Sequence, residues 1–328
     1  IGIFYLKNKK YDLAEKYFSK IKEKKFGLIL DNFVSGSLLS WSKFDKIDLD
    51  KAKILINSID SRFENLKKIQ SAFMHCYYNS QNVDLYFNEL SSDKKVDFSR
   101  YNYFYASYLL NLSKANEAKK IINESLKKYP RNLLLNQLNI DLISNKSKVE
   151  NNFNCQNPSH VAAEILYITA NALSSQSIFT LSNFYLNLAK YLNKDFHSFN
   201  NLLAENFYKT NEYSKAKKIY SEINKKGSIF SWHSAKQKSK ILIMEKNKNK
   251  AITNLKNAYN KLQYKSIYQK FDYAEFLKSN EQYEESIKFY TEIIEEISQD
   301  HNLFAEVMDG RGVAYERTGK WKKAEKDL

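Results

Sequence analysis

Apolar residues in this chain recur three and four positions apart, the spacing of a helix face, and nowhere alternate long enough to build a strand. A longer period lies above the local one. A small residue is followed three positions later by an aromatic or large apolar residue, and nine positions after that by a second small residue. Ala106, Leu109 and Ala118 carry this spacing, as do Ala204, Phe207 and Ala216, and Gly312, Tyr315 and Ala324. With the first small residue as anchor, the anchors fall at Gly2, Ser40, Phe73, Ala106, Ile140, Ala170, Ala204, Ser239, Ala274 and Gly312, in steps of 30 to 38 residues. The units at Ser40 and Phe73 keep the ladder poorly, and the unit at Ile140 shows only a first helix. Such a period predicts an all-α fold, an α-α superhelix of stacked antiparallel hairpins, because one hairpin cannot bury its apolar stripe alone.

Two antiparallel helices approach closely only where the facing side chains are small. Gly312 or Ala204 on a first helix should therefore face Ala324 or Ala216 on the second. Large residues such as Phe18, Phe207, Tyr220, Tyr290 and Tyr315 would fill the space between units. Asn8, Asn211, Asn280 and Gly319 sit six or seven residues past their anchors, where the first helix must end. Asn and Gly accept the left-handed conformation that ends it. Pro130 and Pro158 fall between hairpins, where a helix stop is harmless. One stretch breaks the pattern. Asn145 to Pro158 (NKSKVENNFNCQNP) is polar, rich in Asn and without a helical stripe. It predicts an N-terminal half over 1–144 with about four to five hairpins, a linker or hinge over 145–158, and a C-terminal half over 159–328 with about five hairpins, the last truncated. The alternative is a degenerate helix that keeps the array continuous.

With these residues, Tyr129-Pro130 at a repeat end and Trp321 in the last second helix, nearly the whole chain resembles the tetratricopeptide repeat (TPR) family. The C-terminal half is also similar to long, largely uncharacterised bacterial TPR proteins, mainly alphaproteobacterial. Asn183 to Asn193 (NFYLNLAKYLN) and Arg311 to Trp321 (RGVAYERTGKW) carry that likeness. The family resemblance implies a concave groove, lined by first helices, that holds an extended or helical partner peptide. The narrower one implies export to the periplasm or cell envelope. Helical geometry places groove-facing residues three before the anchor, one after it, and four or five after it. In the second half this selects Tyr167 and Asn171, then Asn201, Glu205 and Tyr208, then Lys236 and Lys240, Phe271 and Glu275, and Asp309 and Arg317. Asn can pair a peptide backbone through donor and acceptor, Tyr and Phe offer apolar area, and Lys236 with Lys240 would hold a carboxylate. The family's clamp for acidic chaperone tails needs a Lys and an Asn four apart on one first helix, and a Lys and an Arg four apart two units later. The pairs here are Asn201–Glu205, Lys236–Lys240 and Phe271–Glu275, so no such clamp is expected.

The net charge of +15, from 52 Lys and Arg against 37 Asp and Glu, raises a nucleic-acid or anionic-surface reading. Arg, which forks best onto phosphate, occurs only at 62, 100, 131, 311 and 317, and the lysines scatter over turns and outer faces. The charge therefore reads as solvated surface, and nucleic acid as the weaker partner class. Catalytic groups do not assemble. His75 and Cys76 are helix neighbours and point about 100° apart. Cys155 and His160 lack the second ligand pair of a zinc site. None of the seven glycines forms a phosphate cradle. Glu284–Glu285 and Glu295–Glu296 fall on outward faces. Two cysteines make no disulfide framework. Cys76 reads as a small buried hydrophobe, and a bridge to Cys155 requires the fold to bring them together. No apolar run reaches 18 residues, so no membrane span is expected. The chain starts without Met and ends inside a second helix, which reads as a fragment whose missing start has room for a signal peptide. The leading expectation is a non-enzymatic scaffold or adaptor with no metal or cofactor. The alternatives are the repeat region of a larger enzyme, a transferase or protease with its catalytic domain elsewhere, and a binder of nucleic acid or an anionic surface.

Overall fold

A computed structural model describes residues 1–23, 29–93, 95–144 and 152–328. Its regular elements there are all helical. The first hairpins are α1 (Gly2–Lys7) with α2 (Tyr11–Glu23), α3 (Ile29–Lys43) with α4 (Leu49–Asn57), α5 (Glu64–Tyr77) with α6 (Val83–Ser92), and α7 (Ser99–Asn111) with α8 (Ala115–Lys128). Helix α9 (Leu133–Ile143) has no second helix among the described residues. Then come α10 (Pro158–Ser175) with α11 (Phe179–Leu192), α12 (Ser198–Lys209) with α13 (Tyr213–Ile223), α14 (Ser228–Met244) with α15 (Lys248–Asn260), α16 (Ile267–Ser279) with α17 (Tyr283–Glu296), and α18 (Phe304–Arg317) with α19 (Trp321–Asp327). Every anchor lies on a first helix.

The small residues sit where two helices touch. Ala106 and Ala118, Ala204 and Ala216, and Ala170 and Ser182 have no exposed surface. A Cβ added at Gly310 would stand 2.7 Å from Cζ of the buried Tyr290, so the first helix of the last unit can approach only without a side chain there. Gly312 meets α19 at Asp327 and Leu328, one turn past Ala324.

The turns repeat as closely as the helices. Lys9, Ser113, Ser177, Asn211, Lys246, Glu281 and Gly319 have positive φ, each seven residues past its anchor. The next residue's N–H then returns to the carbonyl three past the anchor: Lys114 to Leu109 at 2.9 Å, Glu212 to Phe207 at 2.8 Å, Lys320 to Tyr315 at 2.9 Å. This six-to-one closure ends a helix while satisfying its last carbonyls. Asn8 and Asn280 are not the left-handed residues. They keep negative φ one position earlier, and their side-chain amides donate to the carbonyls of Phe4 at 2.8 Å and Phe276 at 2.7 Å.

The third unit departs from the expected register. Its left-handed residue, Asn79, lies seven past Ala72, which has no exposed surface. Ala72 is therefore the anchor, and Phe73 takes the groove-facing position one past it. Leu85, the small position expected from Phe73, is 63% exposed, and Val83 and Phe87 fill the buried face of α6. The second unit turns differently, through a 3-10 turn at Phe44–Lys46 and an extended Ile47.

The chain divides into two compact units, Ile1–Ile219 and Tyr220–Leu328. This boundary differs from the division at 145–158 expected from the sequence, of which 145–151 lie outside the described residues. Inside the first unit, contacts join the helices before that stretch to those after it. Helix α10 packs on α3 and touches α1. Ser159 Oγ donates to the Leu6 carbonyl at 3.1 Å, and Lys7 Nζ to that of Tyr191 at 2.5 Å. Arg100 on α7 pairs with Glu164 on α10. Cys76 and Cys155 are joined by a disulfide with Cα atoms 5.9 Å apart, so Cys76 is a bridged residue and not merely a buried one.

The second unit has two layers of core. Trp232, Leu255, Tyr259, Tyr273 and Leu277 form one, and Phe271, Ala274, Tyr290, Ile293, Leu303 and Val307 the next. Among the described residues, no helix is long and apolar enough to cross a membrane.

Candidate partner-binding faces

In the first unit the expected groove residues lie on α10 and α12. Asn171 and Glu205 are exposed, Glu205 beside Lys209 at 2.9 Å. Tyr208 is half-buried, with its ring 5.8 Å from Tyr213. Asn201 is half-buried, and its Oδ1 is shut off from water with no hydrogen-bond partner; Oδ1 of the neighbouring Asn200 is in the same state. Buried acceptors normally find a donor, so two on one turn of a first helix mark an unusual surface. Tyr167 does other work. Its ring lies 4.0 Å from the Arg100 guanidinium and 5.5 Å from the ring of Phe199, so it packs the pair of α7 and α10 instead of facing a groove.

In the second unit, Lys240, Asp309 and Arg317 are exposed. Lys236 is paired with Asp272, which ties α14 to α16 and leaves Lys236 less able to hold a foreign carboxylate. Its ammonium stands 5.9 Å from the Trp232 ring. Phe271 is only 6% exposed and lies in the core against Tyr290 and Val307, so it lines no open surface. The one-past-anchor position, Glu275, accepts from the Tyr290 hydroxyl and pairs with Lys278 at 2.8 Å. Burial, with Lys236 and Lys240 nearby, pushes His233 down to about 4.

The register shift in the third unit hid Phe73 and Cys76 on α5, one and four past Ala72. Tyr103 on α7, three before Ala106, is a further groove-facing position. All three are buried by the chain itself. The Phe153 ring is 5.2 Å from Phe73 and 4.1 Å from Phe104, Cys155 is bonded to Cys76, and the Phe196 ring is 6.1 Å from Tyr103. Recognising Ala72 as the small residue was the signal available.

Several ionisable groups of chemical interest are engaged within the fold. His75 shares a 2.6 Å hydrogen bond with Ser80 Oγ and stacks on Tyr86 at 4.0 Å, while the neighbouring sulfur is bridged. Glu284 pairs with Lys320 at 2.8 Å and Glu285 with Lys256 at 3.3 Å. Among the described residues, no group of three or more His, Cys, Asp or Glu could hold a metal ion.

Eight first helices end in a left-handed residue seven past a small anchor. The fold is a tetratricopeptide-like repeat array. Several solved structures are similar to this chain at low identity. The TPR protein YrrB, described as having an unusual peptide-binding site, is 16% identical over 50% of this chain and 82% of its own, with a TM-score of 0.34. A chain of the Cut9–Hcn1 hetero-tetramer of APC/C is 14% identical over 98% of this chain and 63% of its own, with a TM-score of 0.41. Human IFIT1, solved as a dimer with PPP-AAAA, is 15% identical over 98% of this chain and 70% of its own, with a TM-score of 0.37. At these levels the likeness is one of repeat fold alone. No protein-family model matches the chain, and neither does any curated protein.

Proposed function

We propose that this chain is a non-enzymatic scaffold that binds a segment of a partner protein on the first-helix face of α10 and α12. The observation that carries the reading is the exposed pair Asn171 and Glu205, each one past the anchor of its first helix. The Asn171 amide can both donate to and accept from the backbone of a bound segment. A location in the cell envelope fits the Cys76–Cys155 bridge, since disulfides persist in oxidising compartments. Protein is favoured over an anionic polymer by where lysines go. Lys46, Lys248, Lys256, Lys270 and Lys320 each pair with an Asp or Glu elsewhere in the fold, which engages these five ammonium groups within the chain.

The test is Asn171→Glu/Glu205→Lys, which should weaken partner binding at least tenfold while shifting the stability of the unbound chain by less than about 0.5 kcal/mol. Partner binding that survives this change would remove the face from consideration.

A further inference from the structure

We propose that residues 152–157 are a built-in ligand of the repeat array, seated on the groove-facing side of α5 and α7 and held there by the Cys76–Cys155 bridge. Reduction of the bridge frees that surface for a short peptide bearing an aromatic residue. The idea is independent of the partner face on α10 and α12 and stands or falls without it.

Three observations converge on this segment. The first is position. Phe73, Cys76 and Tyr103 occupy groove-facing offsets from Ala72 and Ala106, Phe73 also reaching Phe87 of its own hairpin at 6.3 Å. The second is the burial pattern of the residues that cover them. Phe153 and Cys155 point inward and are buried, whereas Asn154 and Gln156 are exposed. Every second side chain of 153–156 thus meets the surface beneath, while the backbone closes into a turn at 154–157. The third is that the segment shapes itself. The Asn154 side chain accepts from the Gln156 N–H at 2.8 Å, the Asn154 carbonyl accepts from the Asn157 N–H at 3.0 Å, and the Asn154 N–H donates to His160 Nδ1 at 3.1 Å.

Its hold on the groove is concentrated in two side chains. The Phe153 ring enters an aromatic pocket formed by Phe73, Phe104 and Phe196, and Cys155 is bonded to α5. One hydrogen bond, Asn193 Nδ2 to the Asn152 carbonyl at 2.8 Å, supports the entry. A dithiol reductant would pass two electrons and two protons to the bridge, giving two thiols and its own disulfide. The covalent attachment is then gone, and the ring competes for its pocket with aromatic residues of other chains. The fitting partner is a short segment that turns just after one aromatic side chain and has small or polar neighbours, the chemistry of Phe153 to Asn157.

The test uses the full chain and a fluorescent peptide of residues 152–160 carrying Cys155→Ser. The oxidised chain should not bind it. The Phe153→Ala/Cys155→Ser variant, with the pocket vacated, should bind at least tenfold more tightly than the oxidised chain, and a peptide also carrying Phe153→Ala should not bind. A variant that keeps its helical circular dichroism yet binds no better than the oxidised chain overturns the proposal. So does a variant that loses its cooperative melt, because the segment is then core. Deuterium exchange on the unmutated chain decides the same point. Adding a dithiol should speed exchange at 152–157 at least tenfold and leave α5 and α7 unchanged. No change at 152–157, or α5 and α7 rising in step, refutes it.

Discussion

Replacing Glu164 with Gln would leave the Arg100 cation buried without its partner. Glu164 has no exposed surface, and Arg100 reaches it through Nε at 2.6 Å and Nη2 at 2.7 Å. Nη1 donates to Ser198 Oγ at 2.5 Å, and the guanidinium lies 4.0 Å from the Tyr167 ring and 5.2 Å from the Phe196 ring. Helices α7, α10 and α12 thus share one charge pair. Removing one member of such a pair costs about 3–5 kcal/mol, because the remaining charge has lost its solvent and gained nothing in return. Replacing both members with apolar residues, Arg100→Met/Glu164→Leu, should return to within about 2 kcal/mol of the parent. The assay is urea denaturation followed by Trp41, which is fully buried and donates to Gln70 Oε1 at 3.0 Å, in a Trp232→Phe/Trp321→Phe background so that the signal reports the first unit alone. A Glu164→Gln cost below about 1 kcal/mol, the range of exposed pairs, would refute the claim that this pair is desolvated and joins the hairpins on both sides of 145–158.

Three further outcomes are expected. Gly310→Ala should cost about 1–3 kcal/mol in the second unit, since the new methyl meets the buried Tyr290 ring, and a denaturation midpoint equal to the parent's would contradict the close approach. Cys76→Ser/Cys155→Ser opens a loop with a sequence separation of 79, for which chain entropy gives about 4.5 kcal/mol and measured bridges commonly give about 2–4; a thermal melt under oxidising conditions reads the difference. His233, held near 4 in the fold against an ordinary 6.5, contributes stability that is complete above pH 6.5 and is lost as pH falls toward about 4. The second unit should weaken by about 2–3 kcal/mol across that window, and His233→Asn should flatten the slope in melts followed by Trp232.

The repeat architecture was readable because its cause is local. A small residue, a large one three later and a second small one nine beyond suffice to pack one hairpin, so Ala106, Ala204 and Ala274 marked their units without knowledge of any neighbour. The left-handed turns were half readable. Asn211 and Gly319 belong to the residue types that favour positive φ, but Lys9, Ser113 and Glu281 adopt it because the helix must end there, whatever the residue. In the third unit Ala72 and Phe73 sit side by side, and both are buried, Phe73 among Phe87, Tyr101, Phe104 and Phe153. Spacing alone could not separate the two. Phe271 was assigned to a groove by angle, yet α18 supplies Val307 over it, a contact between hairpins that no single helix encodes. The Cys76–Cys155 bridge and the Arg100–Glu164 pair have the same origin. Each depends on segments 64 to 79 residues apart in sequence meeting within the first unit.

The most direct test of partner binding on first-helix faces is site-specific photo-crosslinking of the full-length protein in its own cell extract. A photoreactive amino acid would replace Asn171 or Glu205 on α10 and α12, and, as the outward comparison, Asn187 on α11 or Lys218 on α13. One protein crosslinked from 171 and 205, with the contact mapped by mass spectrometry to one short segment of it and no product from 187 or 218, is the predicted result. Products from the second-helix positions alone, or nucleic acid recovered in place of protein, would contradict it.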